Sequence, residues 1–377
     1  MEFKRIIEDS VVKHLQPGKV VRIYGPRRVG KSTLVKKIVE VMGLNTLFIN
    51  GDETTYYPYF EARSLDAMNR LVGDANLLVI DEAQLVPNIG ISLKILIDGN
   101  PNIRVLVTGS SVLGLGQKIG EPLVGRSWTF RLNSLAYGEL DQYRETRIFS
   151  QADLNYRLVY GSYPELFNLS GDKERQAYLT DLRDNYLYKD ISEQAVVNKP
   201  KILGKLLKLL AYQIGSEVSL SELAHTLQVD SKTVERYLFL LEESFIIFRL
   251  GGFRRNLRTE VTKFGKYYFW DLGIRNALIE SFAPVELRND IGGLWENFLV
   301  AEKRKSASQP GVRYGDYFWR SSTGAEIDYV VDRDGALSAY EFKWSKPTAR
   351  RPATFLEAYP DTSFEVINNQ NYHEFLK

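Results

Sequence analysis

Gly25-Pro26-Arg27-Arg28-Val29-Gly30-Lys31-Ser32 is a complete G-x-x-x-x-G-K-[ST] string, the pattern of a loop that cradles the phosphates of a nucleoside triphosphate. Each residue type has a physical task. The glycines let backbone amides turn inward around phosphate oxygens, and the N-terminus of a following helix adds partial positive charge. Lys31 is suited to reach the β- and γ-phosphates and the Ser32 hydroxyl to ligate Mg²⁺. Pro26, Arg27, Arg28, Val29 and Thr33 complete the stretch that meets the nucleotide. The two arginines either touch phosphate or face solvent.

A second group of polar residues lies at the expected distance. Leu77-Leu78-Val79-Ile80 runs into Asp81-Glu82. Asp81 suits Mg²⁺ ligation through water, and Glu82 suits polarising the water that attacks the γ-phosphate. Val105-Leu106-Val107-Thr108 ends in small hydroxyl residues. Thr108 or Ser110 would hydrogen-bond the water or the γ-phosphate, or else form a simple turn after a strand. Arg126 is a candidate cation for the γ-phosphate, in cis or across a subunit boundary, or a solvated surface arginine.

A third group lies near the C-terminus. Asp334-Gly335 is a strong two-residue hairpin signal. It sets residues equidistant from the turn opposite one another, so Asp328 faces Glu341 and Glu326 faces Lys343 on one side of the hairpin. Opposed carboxylates about 5 Å apart repel, and a hard cation such as Mg²⁺ would reverse that sign. The alternative is a solvated hairpin whose wet face carries an ordinary Glu326–Lys343 pair.

These groups need elements to hold them. Val20–Tyr24 reads as a buried strand before the phosphate loop, and Ser32–Val39 opens a helix. Strands are expected at Thr46–Asn50, Leu77–Ile80, Ile103–Thr108 and Trp128–Leu132, with helices between several of them, which predicts a mainly parallel sheet. Residues 151–215 read as a helical lid, with Lys201, Lys205 and Lys208 on one side of a helix. Ser219-Leu220-Ser221-Glu222 predicts a helix start, and a short turn at Gln228–Asp230 leads to a second helix. A strand at Phe245–Leu250 should then turn at Gly251-Gly252 towards Arg254, Arg255 and Arg258. Helix, turn, helix, hairpin is a winged-helix layout, in which Lys232, Thr233 and Arg236 would face a DNA major groove. Glu235, Glu242 and Glu243 argue for a packing module instead, because acids repel phosphate. Gly293–Glu302 is an amphipathic helix carrying Glu296.

The fold expected is therefore α/β: a P-loop parallel-sheet core over 1–150, the lid over 151–215, a winged helix over 216–265 and a second α/β domain over 266–377. The chain has 377 residues, no cysteine and a formal charge of +2. This excludes disulfides and a global basic field, so nucleic-acid affinity needs local patches. His14, His225 and His373 sit in no ligand-spaced motif. No apolar run reaches the roughly 18 residues of a spanning helix, and the N-terminus lacks an apolar signal core. A cytoplasmic protein without membrane contact is expected.

The order Gly25–Ser32, Asp81-Glu82-Ala83-Gln84, Thr108-Gly109-Ser110-Ser111, Gly125-Arg126 and Leu135-Ala136-Tyr137-Gly138-Glu139-Leu140 resembles the AAA+-like branch of phosphate-loop ATPases. Nearly the whole chain is similar to a widespread prokaryotic family that joins such an ATPase to a C-terminal domain of unknown function with a nuclease-like fold. Asp328, Glu341-Phe342-Lys343 and the helix acid Glu296 resemble the PD-(D/E)xK nuclease set, although Ile327 stands where a proline is usual. That resemblance implies a metal held by Glu296, Asp328 and Glu341, with Lys343 positioning water or stabilising phosphorane charge. Three functions follow as expectations: an ATP- and Mg²⁺-dependent ATPase acting on DNA, an ATP-gated DNA nuclease, or a nucleotide-dependent regulatory protein with slow turnover. A homo-oligomer is compatible with each.

Overall fold

The computed structural model describes residues 3–110, 122–141, 150–185, 200–253, 264–307, 314–321, 324–349 and 351–377. The chain forms two compact units, one built mainly from residues 1–135 and the other from 136–242, 246–307 and 311–377.

The first unit holds strands β1 (Val20–Tyr24), β2 (Thr46–Asn50), β3 (Leu77–Asp81), β4 (Arg104–Gly109) and β5 (Ser127–Arg131). Its helices are α1 (Glu8–His14), α2 (Lys31–Met42), α3 (Tyr57–Glu61), α4 (Leu65–Val72) and α5 (Ile89–Gly99). The strands pair in the order β2-β3-β4-β1-β5, and every pairing is parallel. Val20, Val21, Ile23, Leu77 to Ile80 and Val105 to Val107 are fully buried, as continuous apolar runs in a covered parallel sheet should be. Each strand expected from the sequence is present within a residue or so.

The second unit holds β6 (Glu217–Ser219), β7 (Ile247–Gly252), β8 (Phe264–Phe269), β9 (Gly315–Arg320), β10 (Glu326–Arg333), β11 (Ala336–Phe342) and β12 (Ser363–Ile367). Its helices are α6 (Tyr137–Asp141), α7 (Gln151–Tyr160), α8 (Asp172–Leu182), α9 (Pro200–Tyr212), α10 (Leu220–Leu227), α11 (Ser231–Glu243), α12 (Leu272–Leu278), α13 (Ile291–Ser306), α14 (Ala353–Ala358) and α15 (Tyr372–Leu376). Ser219 caps α10 by accepting the Glu222 amide at 3.4 Å, and Asp230 accepts the Thr233 amide at 2.8 Å at the start of α11.

The seven strands form one mixed sheet in the order β12-β11-β10-β9-β7-β8-β6. Gly251 and Gly252 do not turn. They end β7 and pair in parallel with Tyr317 and Phe318 of β9. A side-chain-free edge lets the next strand approach closely there. The boundary expected at 265/266 therefore falls inside β8 of this continuous sheet. Arg254, Arg255 and Arg258 lie outside the described residues. The hairpin register is as expected from its turn: Tyr329 faces Tyr340 and Arg333 faces Ala336. Asp334 and Gly335 carry φ of 51° and 90°, the left-handed pair of a type I′ turn. Behind the sheet Phe253, Ile327, Val330, Ala339 and Phe355 form a buried cluster.

Candidate functional sites

In the first unit, parallel pairing brings the C-terminal ends of β1, β3 and β4 to one edge of the sheet, the usual ligand edge of open α/β sheets. The phosphate loop leaves β1 there and enters α2. Arg28 and Gly30 have φ of 63° and 94°, left-handed values that turn successive amides into a concavity. Gly25 has a second constraint: a Cβ on it would lie 1.9 Å from the Leu132 carbonyl oxygen. Since that obstacle is backbone, Gly25→Ala should weaken ATP binding by about tenfold or more, about 1.4 kcal/mol. Titration with a fluorescent ATP analogue checks this, and unchanged affinity would show that the loop tolerates the shift.

Lys31 is buried, and its Nζ donates to the carbonyls of Gly25 at 2.9 Å and Pro26 at 3.0 Å. Burial pulls its pKa below the ordinary lysine value, with Glu82 and Asp81 opposing that fall. The Ser32 hydroxyl donates to Asp81 Oδ2 at 2.6 Å. Thr108 is fully buried. Its hydroxyl donates to Asp81 Oδ1 and accepts the Glu82 amide at 3.2 Å. Thr108 therefore links and orients the two acids. Gln84 Nε2 donates to Glu82 Oε2 at 2.5 Å and to Ser110 Oγ at 3.2 Å. Glu82 itself takes φ of 50°, a costly conformation for a non-glycine residue and one concentrated at functional sites.

Two contributors carried no motif signal. Arg5 is buried and its guanidinium donates to the Val29 carbonyl at 2.7 Å and the Asn133 carbonyl at 2.6 Å, bracing the loop from behind. Gln84 was visible only as part of a four-residue string, with no role attached.

Arg126 requires a correction. It precedes β5, and its carbonyl accepts the Val20 amide at 3.0 Å, at the start of β1. The phosphate loop follows the other end of β1, about 16 Å away at about 3.3 Å per residue. Its guanidinium pairs with Asp98 at 2.8 Å. Arg126 cannot read a γ-phosphate in cis, because in a parallel sheet the start and end of a strand lie on opposite edges.

The donor set Ser32 and Asp81 fits a hard cation, being hydroxyl and carboxylate oxygens already in contact beside Lys31. Mg²⁺ bound there with nucleotide would supply charge neutralisation of the phosphates.

The second unit contains a different cluster. Lys266 of β8 is 2% exposed, and its Nζ meets Glu296 Oε1 at 2.7 Å and Glu326 Oε1 at 2.5 Å. The Tyr268 hydroxyl donates to the same Glu296 oxygen at 2.5 Å. Asp328 Oδ2 accepts the Phe342 amide at 2.7 Å, and Lys343 Nζ donates to Glu341 Oε1 at 2.7 Å. Asp328 meets the strand of Glu341 through the Phe342 amide, and Glu326 pairs with Lys266 rather than with Lys343. Among the described residues no group of three histidine, cysteine or acidic side chains is arranged to hold a metal ion. Lys266, to which the sequence assigns no role, sits between Glu296 and Glu326. Its signal was a lysine two residues from Tyr268 on one strand face, where alternation calls for an apolar residue.

Burial pushes the Glu296 carboxyl up to about 7, against the opposing pull of Lys266. Asp328 and Glu341 are also raised, chiefly by burial. A carboxyl raised on folding stabilises the fold while protonated. That contribution is complete below the unfolded value of 4.5 and is lost as pH rises through about 7. The second unit should therefore lose up to about 3 kcal/mol between pH 5 and pH 8, and Glu296→Gln should flatten that decline. Thermal unfolding across this range measures the slope; equal slopes in both proteins would refute it.

Comparison with known proteins adds to this geometry. Residues 17–141 match the model of a family described as an AAA domain. Residues 151–284 and 291–373 match two further families, each described as a domain of unknown function, DUF8612 and DUF4143. The chain is 26% identical over 331 residues to an uncharacterized protein of Mycobacterium tuberculosis, covering 86% of this chain and 70% of that protein. It is 24% identical over 280 residues to an uncharacterized protein of Haemophilus influenzae, covering 68% of each. Among solved structures it is similar to the replication initiator DnaA bound to AMPPCP and single-stranded DNA, with 14% identity, 63% of this chain and 86% of that chain covered, and a TM-score of 0.33. It is also similar to the Thermotoga maritima RuvB Holliday junction branch migration motor, with 19% identity, coverage of 61% and 82%, and a TM-score of 0.30. Phosphate loop, acid pair, parallel sheet and family match agree, and the chain carries an AAA-type P-loop domain at residues 17–141, followed by domains whose families have no assigned function.

Proposed function

We propose that this protein binds ATP and hydrolyses it with Mg²⁺, and that its second unit engages DNA. The observation that carries the first part is the meeting, at one sheet edge, of Lys31, the Ser32–Asp81 pair and a Gln84-held Glu82. On nucleotide binding the Lys31 ammonium exchanges the Gly25 and Pro26 carbonyls for phosphate oxygens. The loop amides hold the β-phosphate, and Glu82 accepts hydrogen from the attacking water as the γ-phosphoryl leaves ADP.

Support for DNA as partner is local. In the helix–turn–helix of α10 and α11, Lys232 and Arg236 are exposed along the second helix, where a winged helix meets the major groove. The same helix exposes Glu235, so affinity there would depend strongly on salt. An ATPase assay with and without duplex DNA tests both parts. Mg²⁺-dependent phosphate release stimulated by DNA is expected. Absence of release under both conditions would overturn the hydrolysis reading, and release indifferent to DNA with no retardation of a labelled duplex would overturn the DNA reading.

One observation favours a regulatory variant of this reading. Gln84 donates to the Glu82 carboxylate, so basal turnover would be slow until a partner frees it. Single-turnover kinetics distinguish a slow chemical step from slow product release.

A further inference from the structure

We infer that Lys266 is a built-in cation for the C-terminal carboxylate cluster: it supplies by covalent tether the charge a divalent metal would bring, and so closes the cluster to metal.

Four carboxylates gather here from three elements, Glu296 from α13, Glu326 and Asp328 from β10, and Glu341 from β11. Such a gathering repels itself unless positive charge is placed in it. Lys266 is that charge. Its ammonium lies within ion-pair distance of two of the acids and is almost wholly removed from solvent. The Phe318 ring stands 5.5 Å away on another side, so the ammonium is bounded by carboxylates and an aromatic wall.

One oxygen of each of three of these carboxylates is engaged as well. Glu296 Oε1 takes hydrogen bonds from both Lys266 and Tyr268, which share a face of β8 by strand alternation. Asp328 Oδ2 takes the Phe342 amide. Glu341 Oε1 takes Lys343. A divalent cation would have to displace an ammonium from a place where the displaced charge would be buried and unpaired, the costly way to break a buried pair. Burial alone would lower the Lys266 pKa, but Glu296, Glu326 and Asp328 outweigh it and raise it, so the side chain stays charged. The arrangement also ties β8, from the helix–turn–helix half of the sheet, to β10 and α13 of the C-terminal half.

The test is Mn²⁺ binding, read by electron paramagnetic resonance on the full-length, nucleotide-free protein. No saturable Mn²⁺ site that depends on Asp328 is expected in the wild-type chain. Lys266→Met should open one, with apparent affinity raised about tenfold or more, and adding Asp328→Asn should abolish it. Saturable binding by wild type that is lost in Asp328→Asn would overturn the inference. So would a folded Lys266→Met that gains no site. Should Lys266→Met lose its circular dichroism signal, Lys266→Gln takes its place, and the comparison of wild type with Asp328→Asn needs no lysine variant. Because the readout is metal binding without nucleotide, it stands or falls apart from ATP hydrolysis.

Discussion

Glu82→Gln is expected to bind ATP about as well as wild type while phosphate release falls by about 10²–10⁴-fold, the usual contribution of a positioned general base. The amide is nearly isosteric and keeps an acceptor for Gln84 Nε2, so the geometry around Ser110 and Thr108 should survive. What disappears is a group able to take hydrogen from water. The residue also sits at φ of 50° at the end of β3, and the substitution leaves that backbone unchanged. Analogue titration beside a phosphate-release assay separates the two properties. Turnover within about threefold of wild type would remove Glu82 from the role given to it.

The largest stability effect is expected at a residue far from any motif. Glu302 on α13 is 2% exposed. Its carboxylate meets Arg157 at 2.8 Å, Lys305 at 2.9 Å and the Tyr137 amide at 2.6 Å. Burial would raise its pKa, yet Arg157 and Lys305 outweigh it and the carboxyl is lowered. It is therefore ionised at neutral pH, and its contribution fades only as acid protonates it. Glu302→Ala removes the buried carboxylate that two buried cations and an amide share, at a cost of about 3–5 kcal/mol. Urea unfolding followed by tryptophan fluorescence reads this well, because Trp270, Trp295, Trp319 and Trp344 all belong to the second unit. A loss under about 1 kcal/mol would mean the network is not a stabilising one.

What the sequence made legible was local. The phosphate loop and the Asp81-Glu82 pair are strings whose chemistry needs contiguous residues, so pattern alone locates them. The hairpin register was legible because a two-residue turn leaves no freedom in pairing. The misses are all long-range. Arg126 looked suitable beside a glycine, but strand direction places it on the wrong edge. Thr108 is legible as the end of a strand, yet its hydrogen-bond partner Asp81 lies 27 residues away. Gly251-Gly252 reads as a turn in isolation and becomes strand because its partners in β9, Tyr317 and Phe318, arrive 66 residues later. Lys266 meets acids 30 and 60 residues further along the chain, and only the alternation of its own strand marks it.

The parallel seam between β7 and β9 has a consequence for how the molecule is made. Residues 1–135 carry a sheet whose strands all emerge early, so that unit can close while the ribosome is still translating. The seven-stranded sheet closes later. Its central pairing waits for Tyr317 and Phe318 of β9, and β12 follows at Ser363–Ile367. At about 5–20 residues per second, β6 to β8 stand without their partner for some seconds, with the β7 edge and its paired glycines exposed. Sheets closed by such distant contacts fold slowly, so the nascent chain between Gly252 and Gly315 is the interval in which chaperone protection matters most.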